Sequence, residues 1–207
     1  AFTSSSAAAK LAAVADRCRS GNCRHSSGSQ AESVVQSIAE PIIPRIRSRI
    51  QVEKIVEMVK YPPIGKRGVG ASTCPAGKYM GWNSVAEMVE TLNNTSVIGI
   101  QIETKEALES LDDILSVPGI DVAVVGNDDL STGMGIPGQF TSDTYRNAVK
   151  DVIKCCNKHG VMPGIAAGNP EVVKFWAEHG MKMFWAAADI CLLWSGAAKC
   201  CSDVRNA

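Results

Sequence analysis

Residues 97–129 read VIGIQIETKEALESLDDILSVPGIDVAVVGNDD. Apolar residues run almost unbroken through Val97–Ile102 and again through Asp121–Val125. Such short runs suit strands buried on both faces, as in a parallel sheet. Between them, after the polar opening ETKEA, Leu108, Leu111, Ile114 and Leu115 recur at helical spacing and give one apolar face. The unit therefore reads strand–helix–strand. Side chains alternate along a strand, so Gln101 and Glu103 share one side where the first strand closes. The second strand closes at Gly126 and is followed by Asn127, Asp128 and Asp129.

The same alternation extends outward. Pro41–Arg47 (PIIPRIR), Pro163–Ala167 (PGIAA) and Met183–Ala188 (MFWAAA) supply three further strands. Tyr145, Ala148, Val149, Val152, Ile153 and Cys156 form a second helical face, and Asn169-Pro170 caps and starts a third helix. Gly160 and Gly180 stand where two of these helices should stop. Strands alternating with helices define an α/β fold, either a doubly wound sheet or a (β/α) barrel. A complete eight-unit barrel takes about 250 residues. Five strands in roughly 175 residues fall short of that, so both architectures stay open on pattern alone.

Composition narrows the function. The chain has 207 residues, 45% hydrophobic, with 21 Lys+Arg against 21 Asp+Glu. That suits one domain, or a domain with a tail. Zero net charge and the lack of long single-sign runs argue against a nucleic-acid partner. No uninterrupted apolar stretch is long enough to span a membrane. The eight cysteines include no CxxC, and the three histidines fall in no zinc-type spacing with them. Free thiols in a reducing, cytoplasmic setting are expected. Residues 1–30, AFTSSSAAAKLAAVADRCRSGNCRHSSGSQ, carry Asp16 as their only acid and are rich in Ser, Ala and Arg. They read as a poorly ordered arm or an organellar targeting segment, leaving 31–207 as the folded domain.

In parallel α/β folds ligands gather at the carboxyl ends of the strands. Glu103 and Asp129 follow successive strands, and neighbouring strands lie about 4.8 Å apart. Two carboxylates at matching heights would hold one divalent cation, and oxygen-only ligation suits Mg²⁺ or Mn²⁺. The structural alternatives are that Glu103 merely opens a helix and that Asp128 or Asp129 is an N-cap. Spacing leaves these open. The stretch YPPIGKRGVGAS matches no nucleotide fingerprint and reads as a Gly-rich turn. His159 and His179 precede helix-ending glycines and are expected to bond the last carbonyls, while His25 lies in the arm. Trp82, Trp176, Trp185 and Trp194 read as core or interface residues.

Four motifs in order, YPPIGKRGVG (61–70), GIQIET (99–104), VVGNDDLSTGMG (125–136) and MPGIAAGNP (162–170), resemble the HpcH/HpaI aldolase family over about residues 41–198. These are the metal-dependent class II pyruvate aldolases of the phosphoenolpyruvate/pyruvate barrel superfamily. The resemblance implies a TIM-type (β/α) barrel, here incomplete on its N-terminal side. It implies that Glu103 and Asp129 are the metal ligands, with Mg²⁺ or Mn²⁺ bound, and that Gln101 and Asp129 contact the substrate. The implied reaction cleaves a 4-hydroxy-2-oxo acid to pyruvate and an aldehyde. Family members also form homo-oligomers through a C-terminal helix. Asn127-Asp128 replace the family's Pro-Ala, and the upstream His motif and Arg motif are unmatched, by His25 and by Arg45 or Arg47 respectively. The catalytic base is therefore unassigned. The alternative is a weakly active or inactive relative that retains metal and pyruvate binding or acts as an assembly partner.

Overall fold

The computed structural model describes residues 42–70 and 82–206. The arm and Cys18, Cys23, His25 and Cys74 lie outside them. Five strands, β1 (Ile42–Ile43), β2 (Gly99–Ile102), β3 (Val122–Val125), β4 (Met162–Ala166) and β5 (Met183–Trp185), form one sheet. The helices are α1 (Arg49–Val59), α2 (Val85–Thr95), α3 (Lys105–Glu109), α4 (Leu111–Leu115), α5 (Asn127–Gly133), α6 (Asp143–His159), α7 (Pro170–Glu178) and α8 (Asp189–Arg205). All neighbouring strands are parallel, and they stand in the order β1-β2-β3-β4-β5. A doubly wound sheet reverses its order at a switch point. This one never does, so the described strands are an arc of a (β/α) barrel.

The two faces of that arc are chemically distinct. Ile98, Ile100, Ile102, Ala123, Val125 and Ile165 pack in one large core with Val52, Val56, Ile114, Leu115, Val149, Val152 and Trp176 of the helices. Val97, Val122 and Val124 form a smaller cluster with Met162 and Met183. Since side chains alternate, Gln101 falls on the same side of the sheet as this smaller cluster. Register strengthens the point, because Gln101 pairs with Val124 and Ile102 with Val125.

Helix boundaries follow from local chemistry. The Ser84, Thr104, Ser142 and Asn169 side chains accept backbone N–H groups at the starts of α2, α3, α6 and α7. Gly160 ends α6 with a left-handed φ of 71°, a conformation glycine adopts without steric cost. The helix expected between β2 and β3 is two short helices meeting at Ser110, whose ψ of 20° departs from helical geometry. The first strand is also shorter than Pro41–Arg47. It stops before Pro44, which has no N–H for the ladder, and Arg45 then turns the chain with φ 56°. Met183–Ala188 likewise keeps only its first three residues as strand.

Of the Gly-rich segment after α1, the part up to Gly70 is described and turns at Tyr61, whose carbonyl accepts the Ile64 and Gly65 N–H groups; Ala71 and Ser72 lie outside the described residues. Lys60 is buried and its ammonium donates to the Asn93 and Ser96 carbonyls and the Ser96 hydroxyl. The Arg67 guanidinium lies 5.0 Å from the centroid of the buried Tyr61 ring. Trp176 is buried in the core, whereas Trp185 and Trp194 are exposed. No helix among the described residues is long and apolar enough to cross a membrane.

Asp121 ties three strands together just before β3. Its carboxylate accepts the Ile98 N–H at 2.9 Å, its own N–H donates to the Ile98 carbonyl, and its carbonyl accepts the Met162 N–H. Asp121→Ala leaves the buried Ile98 N–H without that acceptor and should cost about 1–3 kcal/mol. Asp121→Asn keeps an acceptor and should cost less. Urea unfolding midpoints at constant slope measure both, and equal losses would show that the carboxylate bond is not what matters.

Candidate functional site

Glu103 follows the last residue of β2 and is only 3% exposed. Its Oε1 accepts the Arg45 N–H at 2.7 Å, and the neighbouring Gln101 amide also favours the charged carboxylate. Thr104 secures this corner from both sides. Its hydroxyl donates to the Ile46 carbonyl at 2.9 Å and accepts the Ala107 N–H that opens α3. Gln101 and Glu103 thus converge where the ends of β1, β2 and β3 meet.

The convergence needs a residue without a side chain opposite it. Gly126 follows β3, donating its N–H to the Ile102 carbonyl. A Cβ there would lie 2.5 Å from both Gln101 Nε2 and Glu103 Oε2. Beyond Gly126, α5 carries Asp128 and Asp129 in its first turn. Neither is the N-cap, which is Gly126 itself. Asp129 is 61% exposed, and its Oδ1 lies 3.8 Å from the Arg45 guanidinium. Glu103, Asp129 and Arg45 therefore form one electrostatic group.

Burial holds the Glu103 carboxyl above the usual range. The Arg45 N–H opposes that rise, while the Asp129 charge adds to it. A buried carboxylate beside a second carboxylate, with one part-exposed guanidinium for compensation, is a hard, electron-rich donor set. Such a set fits a divalent oxygen-binding cation. Gln101 stands next to it as a neutral hydrogen-bonding amide.

Asn127, one of the two departures from the family pattern, has a structural job. Its Nδ2 donates to the Ala166 carbonyl at 2.6 Å, and its Oδ1 accepts the Tyr145 hydroxyl at 2.7 Å. It thereby pins the start of α5 to the end of β4 and to α6. The Tyr145 phenol is pushed up by burial and by the Asp128 charge, so it stays a donor. Asp128 is exposed.

Two sequence expectations about histidine part ways here. His179 Nδ1 lies 2.8 Å from the Phe175 carbonyl, as capping requires. His159 instead points at the Asp112 carboxylate of α4, with Nε2 2.8 Å from Oδ1. Cys155 is a free thiol, as expected, yet Asp112, Cys155 and His159 place their ligand atoms within 4.8 Å of one another. A search for linear zinc motifs overlooks them because one partner comes from another helix. Arg45 was considered only against the family's Arg motif, which it does not match. It leaves β1 at the carboxyl end, so applying the strand-end rule to the first strand would have found it.

The HpcH/HpaI aldolase/citrate lyase family model matches residues 3–189, including most of the compositionally biased first 30. The 4-hydroxy-2-oxo-heptane-1,7-dioate aldolase of Klebsiella pneumoniae is 33% identical over 156 residues, 75% of this chain and 58% of that protein. The Shigella flexneri protein of the same name is 31% identical over 73% of this chain and 56% of its own length. The chain thus spans less than three fifths of the length of these relatives. Among solved structures, an HpcH/HpaI aldolase from Desulfitobacterium hafniense superposes with a TM-score of 0.75 at 29% identity, covering 86% of this chain and 70% of that one.

Gly126→Ala tests the crowding at this site. Alanine tolerates the glycine's φ of −89°, so the effect is steric rather than a backbone penalty. Displacing Gln101 and Glu103 should weaken Mn²⁺ binding, read by electron paramagnetic resonance, about 10–100-fold. Unchanged Mn²⁺ affinity in a folded variant would show that these side chains do not hold the ion.

Proposed function

Because the chain belongs to the HpcH/HpaI aldolase/citrate lyase family, we propose that it serves as a carbon–carbon lyase. Its substrates are 4-hydroxy-2-oxo acids, split into pyruvate and an aldehyde. The observation that carries this reading is the meeting of Gln101, Glu103, Arg45 and Asp129 at the carboxyl ends of β1, β2 and β3. Glu103 and Asp129 would hold Mg²⁺ or Mn²⁺. When bound, the ion supplies Lewis acidity toward the carboxylate and keto oxygens of an oxo acid.

The chain's own residues do the remaining work. The Gln101 amide donates a hydrogen bond to the oxo acid and fixes its orientation. The Arg45 guanidinium faces the same space and offsets negative charge that develops on the keto oxygen. Cleavage breaks the bond between carbons 3 and 4 as the 4-hydroxyl gives up its proton. The electron pair passes to the three-carbon fragment, which then takes a proton at its terminal carbon. Thr104 and Asn127 touch no substrate in this scheme, and they hold the site's corners in place. Residues 31–207 make up the barrel domain.

A second copy of this chain is the proposed partner. Helix α8 buries none of its residues, and Ile190, Leu192, Leu193 and Trp194 all face outward, Trp194 at 76% exposure. An apolar face of that size is a contact surface. A reducing, cytoplasmic setting also belongs to this reading, since Cys155, Cys156, Cys191, Cys200 and Cys201 are free thiols.

Pyruvate release from 4-hydroxy-2-oxo acids should require Mg²⁺ or Mn²⁺ and stop on adding EDTA. Glu103→Ala should abolish it, and Arg45→Met should lower kcat about 10²–10³-fold with a smaller change in KM. Mn²⁺ and pyruvate binding without turnover would instead identify a binding relative. Absence of both would sink the reading. Leu193→Asp with Trp194→Asp should shift the sedimenting species to monomer, and an unchanged mass would remove α8 from the assembly.

A further inference from the structure

The cluster between α4 and α6 has no part in the oxo-acid site. Cys155 and His159 are four residues apart on α6, which puts them one turn apart on the same face. Asp112 of α4 faces that stripe. Its Oδ1 lies 2.8 Å from His159 Nε2 and 3.7 Å from Cys155 Sγ. We propose that Asp112, Cys155 and His159 form a second metal site, for a borderline divalent transition ion of the zinc type.

Donor chemistry and dimensions both favour this. A thiolate, an imidazole and a carboxylate are the ligand classes zinc takes, and a thiolate is a poor ligand for Mg²⁺. Tetrahedral zinc bonds of about 2.0–2.3 Å set ligand atoms roughly 3.3–3.6 Å apart. The two distances to Asp112 bracket that range, and all three ligand atoms lie within 4.8 Å of one another, within reach of side-chain adjustment. Binding releases the Cys155 proton to solvent. Thiolate, carboxylate and neutral imidazole then balance the 2+ charge, and water completes the fourth position.

Lys158 competes with an ion for the Asp112 carboxylate. Its ammonium lies 2.5 Å from Asp112 Oδ1, and the side chain is 61% exposed, free to swing into water. The site sits at the C-terminal end of α6, just before β4 begins, whereas Glu103 lies beyond the C-terminal end of β2. The two sites therefore belong to opposite ends of the sheet. An ion here would clamp α4 to α6, linking the helix before β3 to the helix before β4.

Zn²⁺ should raise the unfolding midpoint of the whole chain, and Co²⁺ should develop a thiolate-to-metal charge-transfer band. Cys155→Ser and His159→Gln should each lower Zn²⁺ affinity about 10–100-fold, the first abolishing the thiolate-to-cobalt band and the second changing the cobalt ligand-field absorption. Both positions are only partly buried, and unfolding midpoints without metal verify that the variants fold. Lys158→Ala should tighten binding, because the competing ammonium is gone. Glu103→Gln, which disables the other site, should leave the band intact. A band and midpoint shift unaltered by Cys155→Ser or His159→Gln, or lost in Glu103→Gln, would overturn the proposal.

Discussion

A carboxylate almost wholly withdrawn from water stands at the end of β2, and much of the surrounding architecture exists to make that tolerable. Burying a charge is costly unless hydrogen bonds and neighbouring charges compensate it. Glu103 receives an N–H from Arg45, at the turn out of β1, and lies beside the Gln101 amide, two residues back on its own strand, which also favours its charged form. The turn at Arg45 exists because Pro44 cannot extend the strand, and the N–H it presents comes from a backbone held at positive φ. Gly126 supplies the missing volume from the third strand. Three consecutive parallel strands must therefore end at one height for the group to exist.

That height is set by register. Asp121 fixes β2 against β3 and β4 on the side where the strands begin, and Gly126 bonds Ile102 on the side where they end. Between these two ties the large aliphatic core on the helix-facing side supplies the apolar burial that holds the sheet to its helices. The polar group on the other face can then afford to be incompletely neutralised. A strained electrostatic balance at the site and a conventional core behind it are two sides of the same strands.

Much of this was legible in the amino-acid order. Five strands could be read from short apolar runs, because parallel strands covered on both faces lack polar alternation. Gly160, Asn169 and Pro170 marked helix ends through their own backbone chemistry. The pairing of Gln101 with Glu103 followed from strand periodicity alone. Elsewhere the reading failed for identifiable reasons. His159 looked like a cap because its partner, Asp112, lies 47 positions away. Arg45 looked like part of a longer strand because the break at Pro44 only matters once a neighbouring strand needs its N–H. Asn127 stood out only as a departure from the family pattern, and the reason for it lies in distant segments, because its side chain bridges β4 and α6.

Sequence by itself determined the alternation of strands and helices, the residues closing each strand, and the family to which the chain belongs. These are local properties, carried by periodicity, capping and motif order along one chain. Periodicity left a doubly wound sheet and a barrel both open, the motif resemblance pointed to the barrel, and the order of neighbouring strands in the tertiary structure agrees with it. Tertiary structure alone decided that Arg45 joins Glu103 and Asp129, and that Asp112, Cys155 and His159 meet between two helices. Such meetings depend on how separate elements pack, and side-chain contacts between distant segments leave no periodic trace in the sequence.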